Sequence, residues 1–206
     1  MDAEGEEGRR ERRKRLTRQA ISAAAMRLFT ERGFDAVTVT EIAEAADVSE
    51  KTVYNYFPHK TALFFDEGDQ LLAELLFMLR ARAAGQSALD AVQGFVAGRA
   101  EWASDRRPAR PTPQFRRLIA GSAALQAARR QMFARYEAAV AGLLAAETGA
   151  VPGSAEPFVA AVALVAVLRA AFEATTDGRP SARDETAAAL GLLRSGLGGY
   201  AVATSR

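Results

Sequence analysis

The amino-acid sequence predicts an all-α protein, with a small N-terminal three-helix unit followed by a larger helical C-terminal domain. Of its 206 residues 49% are hydrophobic, and alanine and leucine dominate among them. Apolar residues recur every three or four positions, which is helical spacing, and they rarely alternate as they would in strands. Capping signals, glycines and prolines separate these segments, so the chain divides into many helices.

The chain contains no cysteine and a single histidine, His59. The lack of cysteine excludes disulfide frameworks, thiolate zinc sites and cysteine nucleophiles, and agrees with a cytoplasmic protein. The longest uncharged, mostly apolar run, residues 157–168, is twelve residues long, whereas a bilayer-spanning helix needs roughly 20. We therefore expect a buried helix there and no membrane contact.

Residues 1–15 are predicted to form a disordered arm, acidic at first and then basic. Residues 1–8 carry four carboxylates, and residues 9–18 carry seven basic residues against Glu11. No apolar stretch lies between them, so they do not resemble a secretory signal. Either the arm is a solvated tail, or it contacts a nucleic acid, where it neutralises phosphates or enters a minor groove.

Residues 16–62 contain three predicted helices. The first ends at Gly33, where a left-handed backbone is expected. Thr38 and Glu41 form a T-x-x-E capping box at the start of the second helix. Ser49 caps the third, which runs to about residue 56 before Pro58 stops it. The apolar face of the first helix consists of Ile21, Ala24, Ala25, Leu28 and Phe29.

The third predicted helix has two different faces. With 3.6 residues per turn, Val53 and Phe57 fall on one side. Lysine can donate to guanine and asparagine can pair with adenine, while threonine and tyrosine offer hydroxyls and apolar contact to thymine. The outward face carries these four residue types, which is typical of DNA recognition: Lys51, Thr52, Tyr54 and Asn55.

Thr38 and Lys60 lie at predicted helix N-termini, where a phosphate would meet free backbone N–H groups and the positive end of the helix dipole. Such contacts position a protein on DNA without reading its sequence. Residues 19–60 contain four basic and six acidic residues, so this unit is not cationic. We therefore expect its affinity for DNA to depend on local donors and on the basic arm.

A resemblance to the N-terminal DNA-binding signature of TetR-type regulators covers Thr38 to Phe64, TVTEIAEAADVSEKTVYNYFPHKTALF. The resemblance implies a ligand-responsive transcriptional repressor that binds a palindromic double-stranded DNA operator as a homodimer. It implies phosphate contacts from Thr38, Thr52, Tyr56 and Lys60. It also implies base contacts among Thr40, Glu50, Lys51, Tyr54 and Asn55.

The sequence departs from this family's pattern at two positions. Asp47 stands in the turn where the family commonly has glycine, so we expect the aspartate to accept a left-handed or strained backbone conformation. His59 stands where a serine cap is frequent, so the fourth helix is expected to lack a good side-chain cap. The imidazole either lies at the surface without a role or faces a phosphate, and we favour the first.

Residues 63–200 are predicted to form a helical effector-binding and dimerisation domain, followed by a flexible tail, 201–206. One long fourth helix runs from about residue 59 to 78, and capping signals at Ser87, Thr112 and Ser181 open further helices. The last three helices are expected at Ala123 to Thr148, Ala155 to Thr176 and Ala182 to Leu197.

Residues 155–198 are the predicted dimer interface, because one recognition helix reads only half of a palindromic site. Ala187 and Gly191 are small enough to let a partner helix approach closely. The alternative is that both helices are simply monomer core. Apolar residues surround the first of the two helices: Phe158, Val162, Val165, Leu168 and Phe172.

Leu125 to Leu197 resembles the C-terminal domain of mycofactocin-type members of the same family. This resemblance implies a small hydrophobic effector, such as an acyl-CoA. The residues that could line its cavity are also ordinary core types. Arg169 needs a partner, which could be Glu137, Glu173 or an acidic group of the ligand. The candidate lining comprises Trp102, Phe115, Met132, Phe133, Tyr136, Arg169 and Phe172.

Two other classes of function compete with this interpretation. An enzyme is disfavoured, because the chain has no glycine-rich phosphate loop, no metal-ligand cluster and no nucleophile beside a usable base. We therefore expect no catalytic residue, metal or cofactor. The other class is an architectural or partner-binding helical protein, which would bind DNA without sequence preference.

Overall fold

The computed structural model describes residues 3–105, 113–151, 153–176 and 182–196, and within them the chain forms ten α-helices and no strand. The all-α prediction is confirmed. Thr112, Ser181, Leu197 and the predicted tail 201–206 lie outside the described residues. The helices are α1 (Ala3–Arg32), α2 (Val39–Ala45), α3 (Glu50–Tyr56), α4 (Lys60–Phe64), α5 (Gly68–Arg80), α6 (Ala88–Asp105), α7 (Pro113–Gly121), α8 (Ala123–Thr148), α9 (Ala155–Thr176) and α10 (Ala182–Ser195).

Helix α1 begins at Ala3, whereas the sequence led us to expect a disordered arm up to residue 15. Arginine, lysine and glutamate all have high helix propensity. The segment also extends a helix whose later turns are packed, so it needs no nucleation of its own. These local preferences account for the longer helix.

The prediction of a single long fourth helix is wrong, because the structure has two helices in that region, α4 and α5. Phe65 ends α4 with φ −103° and ψ 43°, outside the helical region. Phe64 packs its ring near those of Phe29 and Phe34, with centroids 6.3 Å from each. The chain therefore breaks where its aromatic side chain docks on α1.

The chain divides into two compact units. The first contains residues up to Gly68 together with Arg117–Ala128, and the second contains Asp69–Arg116 and the chain from Arg129 onward. Within the first unit, the hydroxyl of Ser122 donates to the carboxylate of Asp35 at 2.9 Å. Leu125 is fully buried. The first turn of α8 is therefore part of the same unit as α1 to α4.

The second unit is built around helices α5, α6, α8, α9 and α10. Arg82 of the α5–α6 segment pairs with Glu147, and Arg194 of α10 pairs with Asp90 of α6. Its core includes Leu75, Leu79, Val92, Phe133, Tyr136, Val140, Val165, Leu168 and Leu190.

Helix α9 is unusually apolar. By length and composition alone, its segment Ala155–Glu173 could cross a membrane, and one third of that window is buried within the protein. A core helix of a soluble protein passes the same test. Phe158 and Val159 are 55% and 62% exposed, whereas Val165 is buried. The helix thus has one apolar side inside the unit and another at its surface.

Candidate nucleic-acid interface

The start of α2 carries the predicted capping box. The hydroxyl of Thr38 accepts from the backbone N–H of Glu41 at 3.2 Å, and the Glu41 carboxylate accepts from the backbone N–H of Thr38 at 2.7 Å. Arg32 also pairs with Glu41, at 2.8 Å. These hydrogen bonds and the arginine lower the pKa of Glu41 from 4.5 to about 2. The cap therefore contains a carboxylate that stays ionised even in moderate acid.

The turn between α2 and α3 has the left-handed residue that the sequence predicted. Asp47 has φ 53°, and it is the one non-glycine residue with positive φ in the part of the chain that the structure describes. Its backbone N–H donates to the carbonyl of Glu44 at 3.1 Å, and Val48 donates to Ala43 at 3.0 Å. The tight turn fixes the angle at which α3 leaves α2.

Helix α3 has the two faces that its sequence predicts. Ser49 caps it by accepting from the backbone N–H of Thr52 at 3.1 Å. Val53 and Phe57 are each 1% exposed, and they pack the inner side of the helix against the rest of the unit. The outward side chains that are exposed are Lys51, Tyr54 and Asn55, and Thr52 is half-buried beside them.

Two of the predicted base-contacting residues bind each other. The hydroxyl of Thr40, on α2, donates to the carboxylate of Glu50, on α3, at 2.5 Å. Both side chains are exposed. The bond links the first turns of the two helices at the surface and leaves the second carboxylate oxygen of Glu50 without a partner among the described residues.

Lys60 is directed inward as well as outward. Its ammonium donates to the carbonyl of Phe34 at 2.5 Å and lies 4.4 Å from the centre of the Phe34 ring. Burial lowers its pKa from the usual 10.5. His59, the residue before it, is exposed and makes no side-chain cap to α4, as expected. Of the three ammonium protons of Lys60, at least one is used within the fold.

Sequence reasoning missed the role of Arg18, which it counted with the basic arm. The Arg18 guanidinium donates to the carbonyl of Tyr56 at 3.1 Å and to the carboxylate of Asp66, and it lies 4.4 Å from the centre of the Phe57 ring. Arg18 precedes the buried Ile21 by three residues, which places both on the same side of α1. That spacing is the signal that could have identified it.

Several of the predicted effector-binding side chains do lie together in the second unit. The ring of Phe172 is 6.0 Å from that of Phe115 and 6.1 Å from that of Phe133, and the Phe133 and Tyr136 rings are 5.9 Å apart. Phe133 and Tyr136 are buried, whereas Met132 is half-buried. The side chain of Trp102 lies outside the described residues.

Arg169 lies beside this aromatic cluster. Its guanidinium donates to the carboxylate of Glu137 at 2.9 Å, and its central carbon lies 4.9 Å from the centre of the Phe133 ring. Glu137 is one of the two carboxylates that the sequence proposed, and the other, Glu173, pairs with Arg129 at 3.8 Å. The Nε atom of Arg169 is enclosed and has no hydrogen-bond partner among the described residues.

Two family models match the chain. Residues 21–66 match the model described as bacterial regulatory proteins of the tetR family, and residues 80–198 match the model described as the MftR C-terminal domain. The second match alone spans more than half of the 206 residues. Together they cover the helices around the candidate interface and most of the second unit.

Curated relatives are similar over part of their length. The HTH-type transcriptional regulator YdeS of Bacillus subtilis is 50% identical over 50 residues, which are 24% of this chain and 25% of YdeS. TcmR, an HTH-type transcriptional regulator of Streptomyces glaucescens, is 32% identical over 87 residues, which are 42% of this chain and 38% of TcmR. The chain thus matches well under half the length of each.

A solved structure is similar over nearly the whole chain. It is the crystal structure of Thermus thermophilus FadR, a TetR-family transcriptional repressor in complex with lauroyl-CoA. The identity is 28% and the TM-score 0.51, covering 91% of this chain and 97% of FadR. The family models, the relatives and this fold agree: the chain is a helix-turn-helix transcriptional regulator of the TetR family, with a C-terminal domain of the MftR type.

Proposed function

We propose that this regulator binds one palindromic operator as a homodimer, with α3 of each protomer in the major groove. The observation that carries the proposal is the two-sided α3, which Val53 and Phe57 hold from behind while Lys51, Tyr54 and Asn55 are exposed. The major groove is about 12 Å wide and accepts such a helix with its polar side chains against base edges.

The contacts divide into two kinds. Lys51 suits guanine and Asn55 suits adenine, while Tyr54 and the Thr40–Glu50 pair can reach neighbouring bases. The free oxygen of Glu50 can accept from the amino group of cytosine. Phosphate contacts are assigned to the residues at helix starts and at the end of α3: Thr38, Thr52, Tyr56 and Lys60.

Helices α9 and α10 are the proposed dimer interface. Val159 is 62% exposed, and Ala166, Ala187 and Gly191 are also exposed, so an apolar and small-residue surface faces outward. A Cβ atom built on Gly191 would meet no other atom within 4 Å. A second copy of these helices can therefore approach closely and cover the exposed side of α9.

The aromatic cluster around Phe133 and Phe172 is the proposed effector site, and the effector is a small hydrophobic molecule, such as an acyl-CoA. Within the part of the chain that the structure describes, the enclosed Nε of Arg169 lacks a hydrogen-bond partner, which is costly unless a ligand or a rearrangement supplies one. FadR, which has a similar fold, was crystallised with lauroyl-CoA. The effector must bind more tightly to the state that does not fit DNA, because equal affinity would release nothing.

Selection from a random duplex pool, followed by competition, tests the DNA-binding proposal. We expect one palindromic site to be enriched and to outcompete random DNA. Asn55→Ala should relax the preference at one base pair of each half-site and cost about 1 to 3 kcal/mol. The control is Gln19→Ala, an exposed amide on α1, which should leave the preference unchanged.

An architectural protein would give a different result in the same experiment. No site would be enriched, and Asn55→Ala would weaken binding to all sequences equally or not at all. Effector release is tested separately, by adding acyl-CoAs of increasing chain length to the protein–operator complex. The proposed repressor, acting in the cytoplasm, should lose its operator with at least one of them, and Arg169→Ala should change which one acts.

A further inference from the structure

We propose that residues 9–15 of α1 are a second DNA-binding surface, which contacts the phosphate backbone beside the site that α3 reads. This inference rests on the proposed function. The family model for the DNA-binding unit begins its match at residue 21, so this part of α1 lies outside it.

The segment has a high positive charge, and its basic side chains are exposed to solvent. Six of its seven residues are basic, and all are exposed. No carboxylate among the described residues pairs with the last four cations, Arg12, Arg13, Lys14 and Arg15. Guanidinium groups bind phosphate oxygens in pairs of charge-assisted hydrogen bonds, and ammonium groups bind them as point charges.

Residues 19–60, which contain α2, α3 and most of the packed part of α1, offer few free cations. Of the four basic residues in 19–60, Arg32 pairs with Glu41 at 2.8 Å, and Lys60 donates to the carbonyl of Phe34. Arg27 lies 3.8 Å from Glu31. Of these four, Lys51 is exposed and has no ion pair with any residue that the structure describes. Because affinity for DNA is largely phosphate neutralisation, the extension is the main source of it.

The geometry directs the extension to the end of α3. Arg18 contacts the carbonyl of Tyr56, the last residue of α3. Lys14 and Arg15 precede Arg18 by four and three residues, so they lie on the same side of α1, one turn further along. At 1.5 Å per residue, residues 3–15 extend α1 by about 20 Å. The cations are thus carried on a helix whose direction Arg18 fixes relative to α3.

The test compares two double variants that remove the same charge. Lys14→Ala with Arg15→Ala removes two cations of the extension, and Arg80→Ala with Arg130→Ala removes two exposed cations of the second unit. Alanine keeps the helix, which circular dichroism checks. The equilibrium dissociation constant, Kd, is measured at salt concentrations from 50 to 200 mM for two duplexes, the operator and random DNA.

We expect the Lys14/Arg15 variant to raise Kd at least about tenfold on both duplexes, and to lower the salt slope by about 2 to 4 for a dimer. The Arg80/Arg130 variant should change neither. An unchanged slope in the Lys14/Arg15 variant would overturn the inference, as would a loss confined to the operator, because phosphate contacts do not read sequence. If wild type prefers no operator, the proposed function fails while the slope still tests the extension.

Discussion

The guanidinium of Arg18 lies over the ring of Phe57, 4.4 Å from its centre. The same group donates to the carbonyl of Tyr56 and pairs with Asp66, so one side chain of α1 holds both the end of α3 and the segment before α5. The position of the recognition helix therefore depends on a residue that does not need to touch DNA.

Arg18→Ala should lower the free energy of unfolding by about 1 kcal/mol, since the side chain is partly exposed and its ion pair is screened. Operator affinity should fall further than this, because α3 loses the contact at its carboxyl end. Urea unfolding and operator titration measure the two effects. Arg27→Ala, which breaks an exposed 3.8 Å pair, is the control; equal behaviour of the two variants would contradict the assignment.

Asp47→Gly should stabilise the protein by up to about 1 kcal/mol, because glycine adopts a positive φ without a steric penalty. Asp47→Ala should destabilise it, since alanine tolerates this conformation less well than aspartate. Thermal unfolding ranks the three proteins. A less stable glycine variant would mean that the Asp47 side chain makes a contribution that its backbone conformation does not explain.

Glu41→Gln should reveal a contribution that depends on pH. The pKa of Glu41 is lowered from 4.5 to about 2 in the folded protein. Its carboxylate therefore stabilises the fold fully at pH values above 4.5, the pKa in the unfolded state. That contribution is lost as pH falls from 4.5 through 2. The difference in unfolding free energy between wild type and the variant should therefore shrink over this range. Glu44→Gln, at an exposed position of the same helix, is the matched control.

Alanine substitutions at Lys60 and Lys51 should have different effects on protein stability and on DNA affinity. Lys60→Ala removes a hydrogen bond to Phe34 and a ring contact, and should cost about 1 kcal/mol of stability together with a sequence-independent loss of affinity. Lys51→Ala should leave the free energy of unfolding within about 0.5 kcal/mol of wild type, because the side chain is exposed and pairs with no described residue. Its DNA affinity should fall selectively. Denaturant curves and competition with random DNA distinguish these results.

Gly191→Glu should prevent dimerisation, because it places a charged side chain on the proposed close contact between protomers. Sedimentation velocity should show a monomer, and operator affinity should fall steeply, since a monomer reads only one half-site. Gly142→Glu, at an exposed glycine of α8, should remain dimeric. A dimeric Gly191→Glu protein would place the interface elsewhere.

Local signals explain why so much of the candidate interface could be predicted from the sequence. The capping box at Thr38, the cap at Ser49 and the positive φ of Asp47 each follow from a few neighbouring residues. Helix α8 likewise begins and ends at its predicted residues, Ala123 and Thr148. Such features depend on backbone hydrogen bonds within one turn, which the sequence specifies directly.

Contacts between distant residues explain what could not be predicted. The break between α4 and α5 depends on the docking of Phe64 against α1, and the clamp of Arg18 joins residues 38 and 48 positions apart. The inward hydrogen bond of Lys60 likewise needs a carbonyl 26 residues away. Spacing patterns carry no information about such pairs.

The bond between Ser122 and Asp35 has a consequence for engineering. In a chimaeric regulator made by exchanging only the residues before 68, the new first unit would lack its own residues 117–128, which are part of that unit. A working chimaera would need both segments from the same donor protein. The second segment includes the first turn of α8, and the rest of α8 belongs to the recipient's second unit.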